Sequence, residues 1–169
     1  IKNLKANDPK DLAQKAKVKA SATAEEAAPE NVLNGFTRDL PKQMKNRWAG
    51  KMGDKGAWLE LAWDQPQTVS QVQLILDSGM TRGQLTLTSS DGQAAKQIHA
   101  PQPELLKDYT IEGRKAGSSE WTTLAEIKDN IHRLRRHNFD AVKLDAVRVN
   151  ISATNGDELA RIYEVRCYA

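Results

Sequence analysis

Val147, Val149 and Ile151 alternate with Arg148 and Asn150, and this two-residue period, repeated along most of the chain, constrains the fold more than any other feature. Successive side chains of a strand point to opposite faces, so the pattern describes a half-buried strand with one wet face. Val72, Leu74 and Leu76 set against Gln71 and Gln73 repeat the same logic. The spacing predicts strands at 17–22, 57–64, 69–76, 83–89, 108–115, 121–127, 133–140, 144–152 and 160–168. Even spacing with few long helical patterns predicts an all-β fold, an antiparallel β-sandwich or jelly roll. The ladder closes with ARIYEVRCYA, a terminal strand that carries its own carboxylate at Glu164.

A chain of 169 residues can bury a core of its own and reads as one domain spanning 17–169. Residues 1–16 read as leader or linker, with one short helical possibility in DPKDLAQKA, where Asp8 would cap and Pro9 would take the first helical position. The chain starts at Ile1 without a methionine, which suggests a piece of something longer, and no signal peptide is visible. No apolar run approaches the roughly 20 residues that a helical membrane span needs. The net charge of +3 is unevenly placed: residues 1–19 hold six lysines against Asp8 and Asp11, a net of +4, which leaves −1 for the body. A nearly neutral body lacks the clustered positive face that phosphate binding requires, so nucleic acid is not an expected partner.

Few residues suggest catalysis. His132 and His137 are five apart, so on one strand they face opposite sides and cannot share a metal, and His99 stands alone before Ala100 and Pro101. Gly50, Gly53 and Gly56 match neither a dinucleotide fingerprint nor a phosphate loop and read as a flexible loop. Ser90, Asp91 and Gly92 mark a tight turn, and PQPELLKD reads as one helical turn between strands. The lone Cys167 reads as a small core hydrophobe. Arg133 and Arg135 share a strand face that could grip an oxyanion, although alternating charge paired with Asp140 and Asp145 on a solvated sheet face is the simpler reading. Trp58 and Trp121 read as strand-start residues feeding the core, while Trp63 fits either packing or an exposed platform.

Taken in order, these segments resemble the discoidin, or coagulation factor five/eight type C, domain, a galactose-binding-like jelly roll that includes the family thirty-two carbohydrate-binding modules. KASATAEEAAPENVLNG is similar to its opening strand and turn, RWAG to its buried tryptophan and WLELAW to its second signature strand. DYTIEGRKAGSSEWTTLAEI resembles its Tyr-x-Ile hairpin ending in Trp, and LDAVRVNI and EVRCY resemble its last two strands. LTLTSSDG, PQPELLKDYTIE, RLRRHNF and ATNGDELARIYEVRCYA add a closer likeness to the C-terminal domain of bacterial FAD-dependent oxidoreductase proteins of the xanthan lyase-like kind. That likeness implies an adjacent catalytic flavin domain upstream and no flavin site in this chain.

The resemblance implies a non-catalytic module that binds polysaccharide and tethers an attached secreted enzyme, as an extracellular or periplasmic monomer. The alternative is a structural domain docked on its flavin-binding neighbour. By position, sugar-binding members carry His, Arg and an aromatic where this chain has Ala49, Asp77 and Leu159, so the ligand-binding residues implied are Lys51, Asp77, Arg82, Gln84 and Asn155. The family commonly holds a structural calcium, and its ligands here would be the side chains of Asn34, Asp39 and Glu164 with backbone oxygens of Asn31, Phe36 and Tyr163. Asn34 stands where the family often has aspartate, and a calcium-free turn tied by Asn34 hydrogen bonds is the alternative. Met52 is the only apolar residue of its loop, too little for membrane insertion.

Overall fold

The computed structural model describes residues 7–24, 26–40, 42–43, 45–81 and 91–169. Its strands are β1 (Lys17–Ala20), β2 (Trp48–Lys51), β3 (Ala57–Leu76), β4 (Leu106–Lys115), β5 (Trp121–Ile127), β6 (Leu134–Thr154) and β7 (Leu159–Tyr168). The strand expected at 83–89, and Ser90 of the expected turn, lie outside the described residues. Hydrogen bonding runs β2-β7-β3-β6-β4-β5, with β1 on β3, and all pairs are antiparallel.

Two strands are longer than the sequence pattern implied. The segments expected at 57–64 and 69–76 are one strand, β3, and those expected at 133–140 and 144–152 are one strand, β6. Both bend where their mutual pairing shifts register, between Ala62 and Gln67 and again between Val69 and Gln71. Pro66, which has no N–H to give a ladder, sits in the first of these breaks. The bends fold the ladder into two layers. One contains β1, the first half of β3, the second half of β6, β4 and β5; the other contains β2, β7, the second half of β3 and the first half of β6. The all-β antiparallel sandwich is therefore the observed fold.

Between the layers lies one apolar core. Leu59, Leu61, Val147, Val149 and Ile151 enter from the first layer, and Val72, Leu74, Leu76, Val165 and Cys167 from the second. Cys167 is wholly buried, which pushes its thiol pKa up and keeps it a packing residue. Trp48 is fully buried as well, with its indole N–H donating to the Ala22 carbonyl at 3.0 Å. Trp63 is packed rather than a platform: it is buried, and its indole donates to the Leu12 carbonyl at 2.9 Å. Residues 12–15 form a 3₁₀ turn instead of the helix expected from Asp8, capped by Asp11, whose Oδ1 accepts from the backbone N–H groups of Ala13 and Cys167 at 3.0 Å each. Ala13 joins the core, so this part of the N-terminal segment packs on the sandwich.

Candidate functional site

The described parts of the four loops β2–β3, β3–β4, β5–β6 and β6–β7 converge at one end of the sandwich, tied by their backbones. Met52 N–H donates to Glu158 at 2.9 Å, Asn155 to Leu105 at 2.9 Å, Asp157 to Pro103 at 3.1 Å and Leu76 to Arg133 at 2.8 Å. The turn after β2 is tight, not the open loop expected from its glycines: Gly53 and Gly56 exchange backbone hydrogen bonds at 2.9 and 3.1 Å. Gly56 has φ of 83°, and a Cβ there would lie 2.0 Å from the Ile151 carbonyl oxygen, so only glycine fits.

Two residues implied as ligand contacts serve this architecture instead. The Asn155 amide donates to the Asn130 carbonyl at 3.0 Å and the Leu105 carbonyl at 3.3 Å, so it staples two loops together. Asp77 is fully buried, where Gly79 N–H donates to Oδ1 at 2.8 Å and Arg47 Nε and Arg161 Nη1 approach Oδ2 at 3.5 and 3.7 Å. Burial pushes the Asp77 carboxyl up from its ordinary pKa and the Arg47 guanidinium down, which raises the stake each has in the other. Arg161 also pairs with Asp157 at 2.9 Å. Arg82 and Gln84 lie outside the described residues. Of the three described, Lys51 lies exposed at an open cavity.

The expected calcium ligands are spoken for by arginines. Asp39 is buried and paired with Arg47, while its Oδ1 accepts from Asn46 N–H at 2.7 Å. The Tyr163 hydroxyl donates to Asp39 Oδ2 at 3.3 Å. Glu164 pairs with Arg166 at 2.9 Å, and both side chains are almost fully buried. Asn34 Oδ1 accepts from Phe36 N–H at 2.8 Å, and the Asn31 carbonyl accepts from Asn34 N–H at 3.1 Å. A hard cation needs these oxygens facing one point with their charge uncompensated; here each carboxylate already has a guanidinium. The residues as arranged do not fit a divalent cation. Among the described residues, no group of three or more His, Cys, Asp or Glu side chains is placed to hold a metal.

Arginine 133 also differs from expectation. It does not sit on a solvated sheet face: its guanidinium donates to the Thr37 carbonyl and, at 3.3 Å, to Ser78 Oγ, and lies 5.4 Å from the Tyr163 ring centroid. Asp145 pairs with Arg114 at 2.8 Å. His132 is exposed, whereas His137 is buried with Nδ1 2.9 Å from the Val72 carbonyl and Nε2 3.1 Å from the Tyr109 hydroxyl. The histidines are not gathered around anything.

The open cavity is about 470 Å³ and is bounded by Trp58, Lys51, Lys55, Asp54, Ser21 and the Gly53–Gly56 turn. Trp58 was expected in the core. It points outward instead, half-buried, because Leu59 and Leu61 take the inward phase of β3. Ser21 locks the strand beneath it, its Oγ accepting from Trp58 N–H at 2.9 Å. The Arg148 guanidinium lies 4.7 Å from the Trp58 ring centroid and 4.0 Å from that of Trp121, and it is anchored to Glu60 at 2.7 Å. Trp121 is thus also an outward residue, half-buried on the sheet face. A half-buried indole beside ammonium, carboxylate and hydroxyl groups can stack its open part against one face of a ring-shaped polar molecule while those groups hydrogen-bond the edge. A second recess of about 460 Å³ has Ile98, Pro101, Leu105 and Ile131 in its walls.

The family model that matches residues 11–100, more than half of the chain, is described as a domain of unknown function, DUF7402. The chain belongs to the DUF7402 family. No curated protein matches the DUF7402 chain. Among solved structures it is similar to chitosan-binding module 1 derived from a chitosanase/glucanase of Paenibacillus sp. IK-5, with a TM-score of 0.69 and 17% identity over 94% of this chain and 98% of that one. It is also similar to the family 32 carbohydrate-binding module of C. perfringens NanJ solved with galactose, with a TM-score of 0.66 and 15% identity over 95% and 98% of the two chains. The family 32 module of Streptococcus pneumoniae EndoD follows the same path, with a TM-score of 0.65 and 18% identity over 94% and 98%. The DUF7402 chain therefore has the discoidin-like fold of the family 32 carbohydrate-binding modules.

Proposed function

We propose that this DUF7402 chain is a non-catalytic carbohydrate-binding module. The observation that carries the reading is the Trp58 cavity: a half-buried indole, with the Arg148 guanidinium against its ring, beside polar side chains on a fold whose solved neighbours include a chitosan-binding module and a module solved with galactose. A volume of about 470 Å³ accommodates a short stretch of glycan. Such a module raises the local concentration of polysaccharide around an attached enzyme without chemistry of its own, which places its action outside the cytoplasm, at secreted or periplasmic substrates. The described residues support a binding role: the thiol is buried, the histidines are apart and the buried carboxylates Asp39, Asp77 and Glu164 are matched by arginines.

A glycan array followed by calorimetry tests this. Saturable binding that Trp58→Ala abolishes without lowering the thermal midpoint is the expected result; absence of binding to any glycan overturns it. The second reading, a docking face for a neighbouring domain such as a flavin-dependent oxidoreductase, is favoured by Ile98 and Ile131, which are 37% and 56% exposed at the apolar recess. Protection of that recess from hydrogen exchange in a longer chain containing the neighbour would support it.

A further inference from the structure

We infer that the Trp58 cavity selects anionic glycans, with a sugar carboxylate or sulfate ester held by Lys51 and Lys55. This deepens the carbohydrate reading and rests on it. Both lysines are exposed at the cavity, and neither has an ion-pair partner among the described residues, whereas Arg47, Arg114, Arg148, Arg161 and Arg166 are all paired. Among the described residues, Asp54 is the one acid lining the cavity, so these walls carry a net positive charge.

This charge is local. With the N-terminal lysines set aside, the body of the chain carries −1, so a positive cavity is not the trace of a generally basic surface. The turn geometry fixes where the charge sits: Lys55 is held between the mutually bonded Gly53 and Gly56, and Lys51 is paired through its backbone with Leu159 at the end of β2. The Arg148 guanidinium, 4.7 Å from the Trp58 ring centroid, adds positive potential near the cavity, reduced by its Glu60 partner. An ammonium group is a compact, strongly hydrated charge, and a sugar hydroxyl offers it little beyond what water does; an oxyanion on the ring offers a full opposite charge. A pyranose stacked on Trp58 and carrying such a group toward the lysines uses every feature of the cavity.

The test compares three oligosaccharides by calorimetry with the full chain: an oligogalacturonate, its carboxyl-reduced neutral counterpart and a sulfated galactan oligomer. The expected result is at least about ten-fold tighter binding of an anionic form over the neutral one at low salt, a gap that narrows as salt is added. The double variant Lys51→Gln, Lys55→Gln should lose that preference, the anionic forms losing far more affinity than the neutral one, and its unchanged thermal midpoint reports an intact fold. Preference for the carboxylate or the sulfate oligomer identifies the source of the anion. Equal affinity for charged and neutral forms overturns this inference and leaves the carbohydrate reading standing. Binding of none of the three, with a negative glycan array, overturns both.

Discussion

Arg148 and Trp58 are diagonal cross-strand neighbours on the outer sheet face, and the guanidinium lies 4.7 Å from the Trp58 ring centroid and 4.0 Å from that of Trp121. Arg148 is therefore a positioning residue for the ring that lines the cavity. Arg148→Gln should weaken glycan binding several-fold by letting the indole reorient, while Arg148→Lys, which keeps the charge but not the planar stack, should recover only part. Tryptophan fluorescence should shift in both variants. Unchanged affinity together with an altered spectrum would separate the ring's support from its role in binding and remove Arg148 from the site.

Calcium should have no effect on stability. A ligand present at about 100 times its dissociation constant stabilises by about 2.7 kcal/mol, which for a domain of this size moves the thermal midpoint by roughly 5–10 °C. Scans in EDTA and in millimolar calcium should overlay, because the Asp39 and Glu164 carboxylates are already matched by Arg47 and Arg166.

Removing the matching charge should be costly. Arg47→Met leaves Asp39 buried without its guanidinium and takes one of the two guanidiniums from Asp77, so urea denaturation should show a loss of about 3–5 kcal/mol. Lys17→Gln is the control: its partner Asp64 and the lysine itself are mostly exposed, and the change should cost about 0.5 kcal/mol or less.

Acid should destabilise the chain through His137. Burial is the main cause holding its pKa below the ordinary 6.5, and the nearby Arg135 charge adds to it, against the Val72 carbonyl. Neutral imidazole is satisfied on both sides, one nitrogen donating to Val72 and the other accepting from Tyr109, whose own pKa burial pushes up to about 12. Above pH 6.5 neither folded nor unfolded chain binds this proton and the full stability is present. Below it the unfolded chain takes the proton first, so stability falls as pH drops towards the lowered folded value. His137→Gln should flatten that part of a stability-against-pH curve.

Strand existence was legible because alternation is local: 121–127 coincides with β5 and 160–168 differs from β7 by one residue. Continuity was not. Trp63, Asp64, Gln65 and Pro66 break the period, and nothing in the sequence says that hydrogen bonding resumes on the far side with a shifted register. Strand β2 was missed because Trp48, Ala49 and Gly50 are all buried and show no alternation. Trp58 was misplaced by weighing aromatic burial above phase, although its position between Ala57 and Leu59 puts it on the wet face. Part of the arginine–carboxylate network joins partners far apart in the chain, Asp77 with Arg47 and Arg161 and Glu60 with Arg148, and short-range patterns carry no trace of those pairs.

Because β3 and β6 each thread both layers, neither layer can detach while the other stays whole. The molecule is built like a sheet of paper folded along one crease, and amide exchange at its most protected sites should report a single all-or-none opening, with no separately melting half.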